Sequence, residues 1–167
     1  MAFTPMNPSL GYPAITEVVA QSDGYILPVP YGTIITATDP TYGAAEFIFL
    51  KGVANTERGT VVLYNADDFS TSRAVANDIG PIAVAMAATV ANKAGWYQIQ
   101  GKAVVKAGTV ADNGNVYLTA TAGTVDDAVV AGDRVKNAKF ASADGTPATG
   151  LAECEIARPF VDDALAA

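Results

Sequence analysis

Short runs of alternating apolar and polar residues, each ended by turn-forming residues, constrain the fold of this chain more than any other feature. Such runs are typical of β-strands with one buried face. They recur at a spacing of roughly ten residues, with no long amphipathic helix between them, which predicts an all-β fold, a small antiparallel β-sandwich or barrel of which a jelly roll is one form. The predicted strands are 46–51, 59–64, 71–76, 82–87, 95–100, 102–106, 116–119 and 151–158.

One segment, 82–94, is also compatible with a helix because it is rich in alanine. It contains β-branched residues, however, and these favour strands over helices. Pro81 and Gly95, which bracket it, are residues that commonly end regular elements. The sequence therefore favours strand over helix here.

The first 45 residues differ from the rest, because they hold six of the nine prolines of the chain. Proline lacks a backbone donor and disfavours helices and central strands, yet this stretch is too apolar for a solvated tail. We predict an extended, proline-rich N-terminal arm over residues 1–45 and a β domain over residues 46–167. The arm could pack on its own domain or on a neighbouring copy, and its candidate partner-binding residues are Phe3, Tyr12, Tyr25, Ile26, Leu27 and Tyr31.

The charge of the chain argues against nucleic acid as a partner. Its formal net charge is −7 and its pI is about 4.3, whereas binding to phosphate backbones is driven by Lys and Arg that release counterions. The sequence also lacks an apolar run of the roughly 18 residues that would suit a membrane span. We expect a soluble protein made in the cytoplasm, with neither nucleic acid nor membrane as a partner.

The sequence contains no histidine. This removes the Ser-His-Asp and Cys-His arrangements, the common zinc sites and the usual general base near neutral pH. The single cysteine, Cys154, lies between Glu153 and Glu155, acidic neighbours that oppose thiolate formation, so we predict a buried structural residue. No catalytic residue, cofactor or metal site is predicted, and the chain is interpreted as a non-enzyme.

The single tryptophan, Trp96, is predicted to belong to the hydrophobic core. A tryptophan in a strand is more often core than an exposed ligand platform, although a subunit interface is an alternative. The residues that we expect to be mostly buried are Phe47, Phe49, Val62, Trp96 and Ile156.

Several strand-and-turn phrases of the chain resemble small phage head proteins that accompany the major capsid protein. The phrases are 73–76, 80–85, 95–101, 116–119 and 126–128, and the similarity covers roughly residues 45–160. The resemblance identifies the chain as a tailed-phage capsid decoration, or cement, protein. It implies a place on the outer capsid surface of the virion, where the protein bridges subunits of the major capsid protein and contacts neighbouring copies of itself, as a dimer or trimer.

The sequence leaves two other functions open. The first is a receptor- or glycan-binding β module of a virion or cell surface. The second is an enzyme that uses carboxylates alone, for which the acidic pairs 67–68, 126–127 and 162–163 are the only adjacent doublets. Adjacent residues of a strand point to opposite faces, so these doublets are predicted to be solvated turn residues.

Overall fold

The computed structural model describes residues 4–5, 11–21 and 29–162. These ranges contain twelve β-strands and no helix, which confirms the all-β prediction. The strands are β1 (Thr4–Pro5), β2 (Val18–Ala20), β3 (Ile34–Asp39), β4 (Gly43–Lys51), β5 (Val61–Tyr64), β6 (Thr71–Arg73), β7 (Gly80–Ala85), β8 (Lys93–Lys106), β9 (Asn115–Leu118), β10 (Val125–Asp126), β11 (Arg134–Phe140) and β12 (Leu151–Val161).

The strands hydrogen-bond in the order β1-β3-β4-β8-β7-β12-β11-β9-β10, with β2 on β8 and the β5–β6 hairpin on β7. All the strand pairs are antiparallel. The architecture is consistent with the predicted small β-sandwich. The segment with helix potential forms β7 and the turns before β8, as the β-branched residues favoured.

The long strand β8 joins two strands that the sequence predicted separately, 95–100 and 102–106. Gly101, between them, has φ +97°, and a Cβ there would lie 2.7 Å from the carbonyl oxygen of Ala44. A side chain at this position would meet both a steric and a conformational penalty. The buried Gln98 side chain donates from Nε2 to the carbonyls of Gln100 and Lys102, each at 3.1 Å. These bonds hold the backbone on both sides of Gly101, so β8 stays continuous.

Three hydrophobic clusters make up the core. The first cluster surrounds Trp96, the second surrounds Tyr97 and the third surrounds Phe140. Strand β4 separates the first two, since Phe47 and Phe49 face the first cluster while Ile48 and Leu50 face the second. The five residues that the sequence placed in the core are all buried.

The stretch predicted as an arm contributes to this core in its described parts. Ile34 to Asp39 form β3, which pairs with β4 along its whole length, from Ile34 opposite Ile48 to Asp39 opposite Gly43. The sequence did not predict this strand. Proline flanks β3 at Pro30 and Pro40 without interrupting it, so the ladder keeps its donors.

Trp96→Ala should destabilise the protein by about 3–5 kcal/mol, the usual cost of removing a fully buried large aromatic side chain. Trp96 is 1% exposed, packs edge-on against Phe49 at 5.1 Å between ring centroids, and donates from Nε1 to the carbonyl of Pro13 at 3.1 Å. Chemical denaturation followed by circular dichroism measures the loss. Trp96→Phe, which keeps a ring in the pocket, is the matched control and should lose less; an unchanged midpoint for Trp96→Ala would contradict the packing.

Candidate interaction surface

The N-terminal residues contact both edges of the β3-β4-β8 part of the sheet. Strand β1 pairs with β3 on one edge, and β2 pairs with β8 on the other. Between these edges, Ile15 is buried in the first cluster, and Tyr12 packs against it. Val29, Ile35 and Ala37 belong to the same cluster. In its described parts, this segment therefore packs on its own chain, the first of the two alternatives left open by the sequence.

Two of the predicted partner-binding residues, Tyr12 and Tyr31, lie in the described ranges and are half-buried. Tyr12 makes an edge-on contact with Trp96 at 6.1 Å, and Tyr31 stacks on Phe49 at 6.1 Å. The ammonium group of Lys51 lies 5.3 Å from the centre of the Tyr31 ring, a cation–π arrangement. Both tyrosines thus have intrachain roles, and their binding to a partner stays a prediction.

The other four predicted residues, Phe3, Tyr25, Ile26 and Leu27, fall outside the described residues. The structure therefore brings together only Tyr12 and Tyr31 of the predicted set, on neighbouring parts of one aromatic cluster. That cluster links the N-terminal segment to β4 and β8 through Phe49 and Trp96.

Deleting residues 2–20 should lower the melting temperature and the free energy of unfolding. The deletion removes the buried Ile15 and the pairing of β2 with β8, and burial of an isoleucine alone stabilises by roughly 1.5–3 kcal/mol. A thermal melt followed by circular dichroism measures the effect. Ile15→Ala, which keeps β2, should lose less than the deletion. A truncated domain that melts at the full-length temperature would show that the segment contributes nothing to the fold.

Cys154 has the properties of a structural residue. It is 1% exposed within the third cluster, and burial raises the pKa of its thiol to about 12, with a smaller contribution from the negative charge of Glu155. The backbone of Lys139 acts in the opposite direction but does not offset burial. The thiolate, which is the reactive form, is thus strongly disfavoured.

Members of two acidic doublets accept hydrogen bonds from nearby loop residues. Asp68 accepts hydrogen bonds from the backbone and the hydroxyl of Ser70, and Asp127 accepts one from the backbone of Ala111. Asp163 falls outside the described ranges. Among described residues, no three acidic or cysteine side chains are placed to hold a metal ion. The doublets that can be described stabilise turns, as expected of Asp in such positions.

The thiol of Cys154 should resist alkylation in the native protein at about pH 8 and react rapidly in denaturant, because only unfolding exposes it and restores an ordinary pKa. Mass spectrometry after treatment with a maleimide measures the labelled fraction. Cys154→Ala should leave the biological activity of the protein unchanged. Fast labelling without denaturant, or loss of activity by a folded Cys154→Ala variant, would contradict a structural role.

Five ion pairs connect strands and loops of the sheet. Lys102 and Glu153 approach to 2.5 Å between β8 and β12, and Arg158 and Glu46 to 2.5 Å between β12 and β4. Three further pairs are Lys106–Glu57, Lys136–Asp162 and Lys139–Glu155. Exposed pairs of this kind stabilise little, typically below about 1 kcal/mol each. They also offset the charge of five of the ten lysine and arginine side chains.

One loop of the protein exposes a run of apolar residues. Residues 128–131, Ala-Val-Val-Ala in the loop between β10 and β11, are all exposed, and Val129 is 80% exposed. We call this run the apolar tip. Sequence reasoning missed it, because four apolar residues in a row usually indicate burial. The exposure could have been predicted from the preceding pair Asp126-Asp127 and the following Gly132, because these residue types mark a loop.

A surface depression of about 440 Å³ lies beside the β5–β6 hairpin and the start of β7. It combines the ring of Tyr64 with polar groups of Asn65, Ser70 and Ser72, and the exposed side chain of Ile79 forms part of its wall. An aromatic face beside hydroxyl and amide groups is a combination that can bind a small polar ligand. The sequence did not single out these residues.

Comparison with known proteins does not assign the chain to a family. No protein-family model matches it, and no curated protein is significantly similar in sequence. The described residues include no helix with the length and apolar character needed to cross a membrane.

Proposed function

We propose that this chain is a structural virion protein that binds the outside of a phage capsid, bridges subunits of the major capsid protein and thereby stabilises the shell. The proposal starts from the resemblance of its strand-and-turn phrases to capsid decoration proteins. The structural observation that carries it is the apolar tip, because a run of four exposed apolar residues on an ordered scaffold usually has a binding role.

The scaffold behind the tip has the stiffness that such a role requires. Strand β8 alone pairs with β2, β4, β7 and β12, and the three hydrophobic clusters lie on both sides of the strands. A rigid body loses little conformational entropy when it binds, so modest contacts suffice for attachment. Many copies on one particle would then add their weak contacts to those of their neighbours.

The composition of the surface supports protein contact over nucleic acid contact. The net charge is −7, and five of the lysine and arginine side chains are in ion pairs with carboxylates. A decoration protein with this charge would not adhere to DNA released from other particles. The exposed apolar side chains of Ile34 and Phe160 offer further contact area on strands.

The second candidate function is a receptor- or glycan-binding module, which the depression beside Tyr64 favours. Its hydroxyl and amide groups could form hydrogen bonds to a sugar that stacks on the aromatic ring. Saturable binding of a glycan, lost in Tyr64→Ala while the fold is retained, would distinguish this function from shell decoration.

The purified protein should bind shells of a phage that encodes it, in a copy number set by the shell lattice, and should raise the temperature at which those shells release DNA. The physical reason is that bridging contacts between subunits must break before the shell opens. Shells are first stripped of the protein, then mixed with it and sedimented. Quantitative gel analysis gives copies per particle, and dye binding to released DNA gives the temperature.

Cys154→Ala is a matched control for this experiment, since the change lies inside the third cluster and should leave decoration intact. Saturation at a few copies per particle would indicate a tail or fibre component. No sedimentation with the shells would overturn the proposed function.

A further inference from the structure

The apolar tip is held on an ordered base by carboxylates that bond to loop backbone. Asp126 accepts from the backbone of Ala128 at 3.1 Å, and Asp127 accepts from the backbone of Ala111 at 2.8 Å. On the other side, the buried Asp133 accepts from the backbone of Asn77 at 2.6 Å. These bonds tie the base of the tip to two other loops. The tip therefore projects its side chains from a fixed position.

Carboxylates also precede the tip and belong to the loop that its base contacts. Asp126 and Asp127 precede it directly, and Asp127 joins it to the loop that carries the exposed Asp112. Asp144 binds the backbone of Val110 in that same loop. None of these four aspartates belongs to an ion pair of the described residues. Arg134, at the start of β11, donates to Asn115 instead.

We propose that the apolar tip is a knob that inserts Val129 and Val130 into an apolar socket on a folded protein, and that lysine or arginine side chains line the rim of that socket. The apolar centre follows from the exposure of both valines, and the basic rim follows from the unpaired aspartates around them. This inference rests on the proposed function, in which the partner is the shell protein.

Other partners fit the tip less well. A membrane with anionic headgroups would repel the surrounding carboxylates, and so would a nucleic acid. A second copy of the chain would bring the same net charge of −7, and five of its ten lysine and arginine side chains are already in ion pairs, so it is a poor source of a basic rim. A separate protein with free basic residues satisfies both requirements.

The test compares two variants that remove exposed apolar surface at different places. The double variant Val129→Ser with Val130→Ser removes the knob, and Val90→Ser is the matched control, because Val90 is 38% exposed in the connection between β7 and β8. Both variants should melt like the wild type, since exposed positions rarely affect stability. The double variant should bind stripped shells at least about tenfold more weakly, whereas Val90→Ser should bind normally.

A third variant, Asp112→Asn, tests the basic rim. Removing the negative charge of Asp112 should reduce the salt dependence of binding, because one fewer charge pair then forms with the basic rim of the socket. Equal affinity of the double variant and the wild type, or an equal loss in Val90→Ser, would overturn the knob while leaving the proposed function in place. Wild-type protein that does not bind shells would overturn the proposed function itself, and the socket with it.

Two further measurements separate the alternative partners. The first is sedimentation with phosphatidylcholine vesicles. If the wild type bound the vesicles and the double variant did not, the tip would be a lipid-binding site and the proposal would be overturned. Light scattering during size exclusion would do the same if the wild type formed oligomers that the double variant lost. The proposal expects neither difference.

Discussion

The continuity of β8 through Gly101 is the constraint on which the rest of the structure depends. Two adjacent residues of β4, Glu46 and Phe47, pair with Gln100 and Gln98 of β8. Strand β8 therefore carries one extra residue between Gln98 and Gln100, just before Gly101. Such a bulge bends and twists a strand. It lets the first half of β8 serve the first and second clusters, while the second half pairs with β12 and serves the third cluster. One strand thus joins all three parts of the core.

The N-terminal segment is bound to the scaffold by the aromatic residues around Trp96. Edge-on and stacked contacts among Tyr12, Trp96, Phe49 and Tyr31 connect residues far apart in sequence. Such contacts add modestly to the area that the rings bury. Prolines restrict the backbone of the unfolded segment and so reduce the conformational entropy that the segment loses on folding. A proline-rich stretch can therefore pack on the hydrophobic core of its own chain as readily as it can extend to a neighbouring copy.

The surface divides into regions of different chemistry. Five ion pairs connect strands and loops of the sheet, whereas the loop that carries the apolar tip has aspartates outside these ion pairs beside exposed valines. In the core, desolvation raises the pKa values of both Cys154 and Tyr97 to about 12, which favours the neutral forms of these two groups.

The sequence by itself determined the all-β fold, most of the strands and the core residues, because period-two patterns and turn residues act locally. Residues such as Phe47 and Ile156 could be assigned to the core from their immediate neighbours. Only the tertiary structure decided that Ile34 to Asp39 form a strand, since their partner is β4, and that the residues of the apolar tip stay exposed. Burial depends on which distant strands cover a residue, and an apolar run looks the same in sequence whether or not another element packs on it.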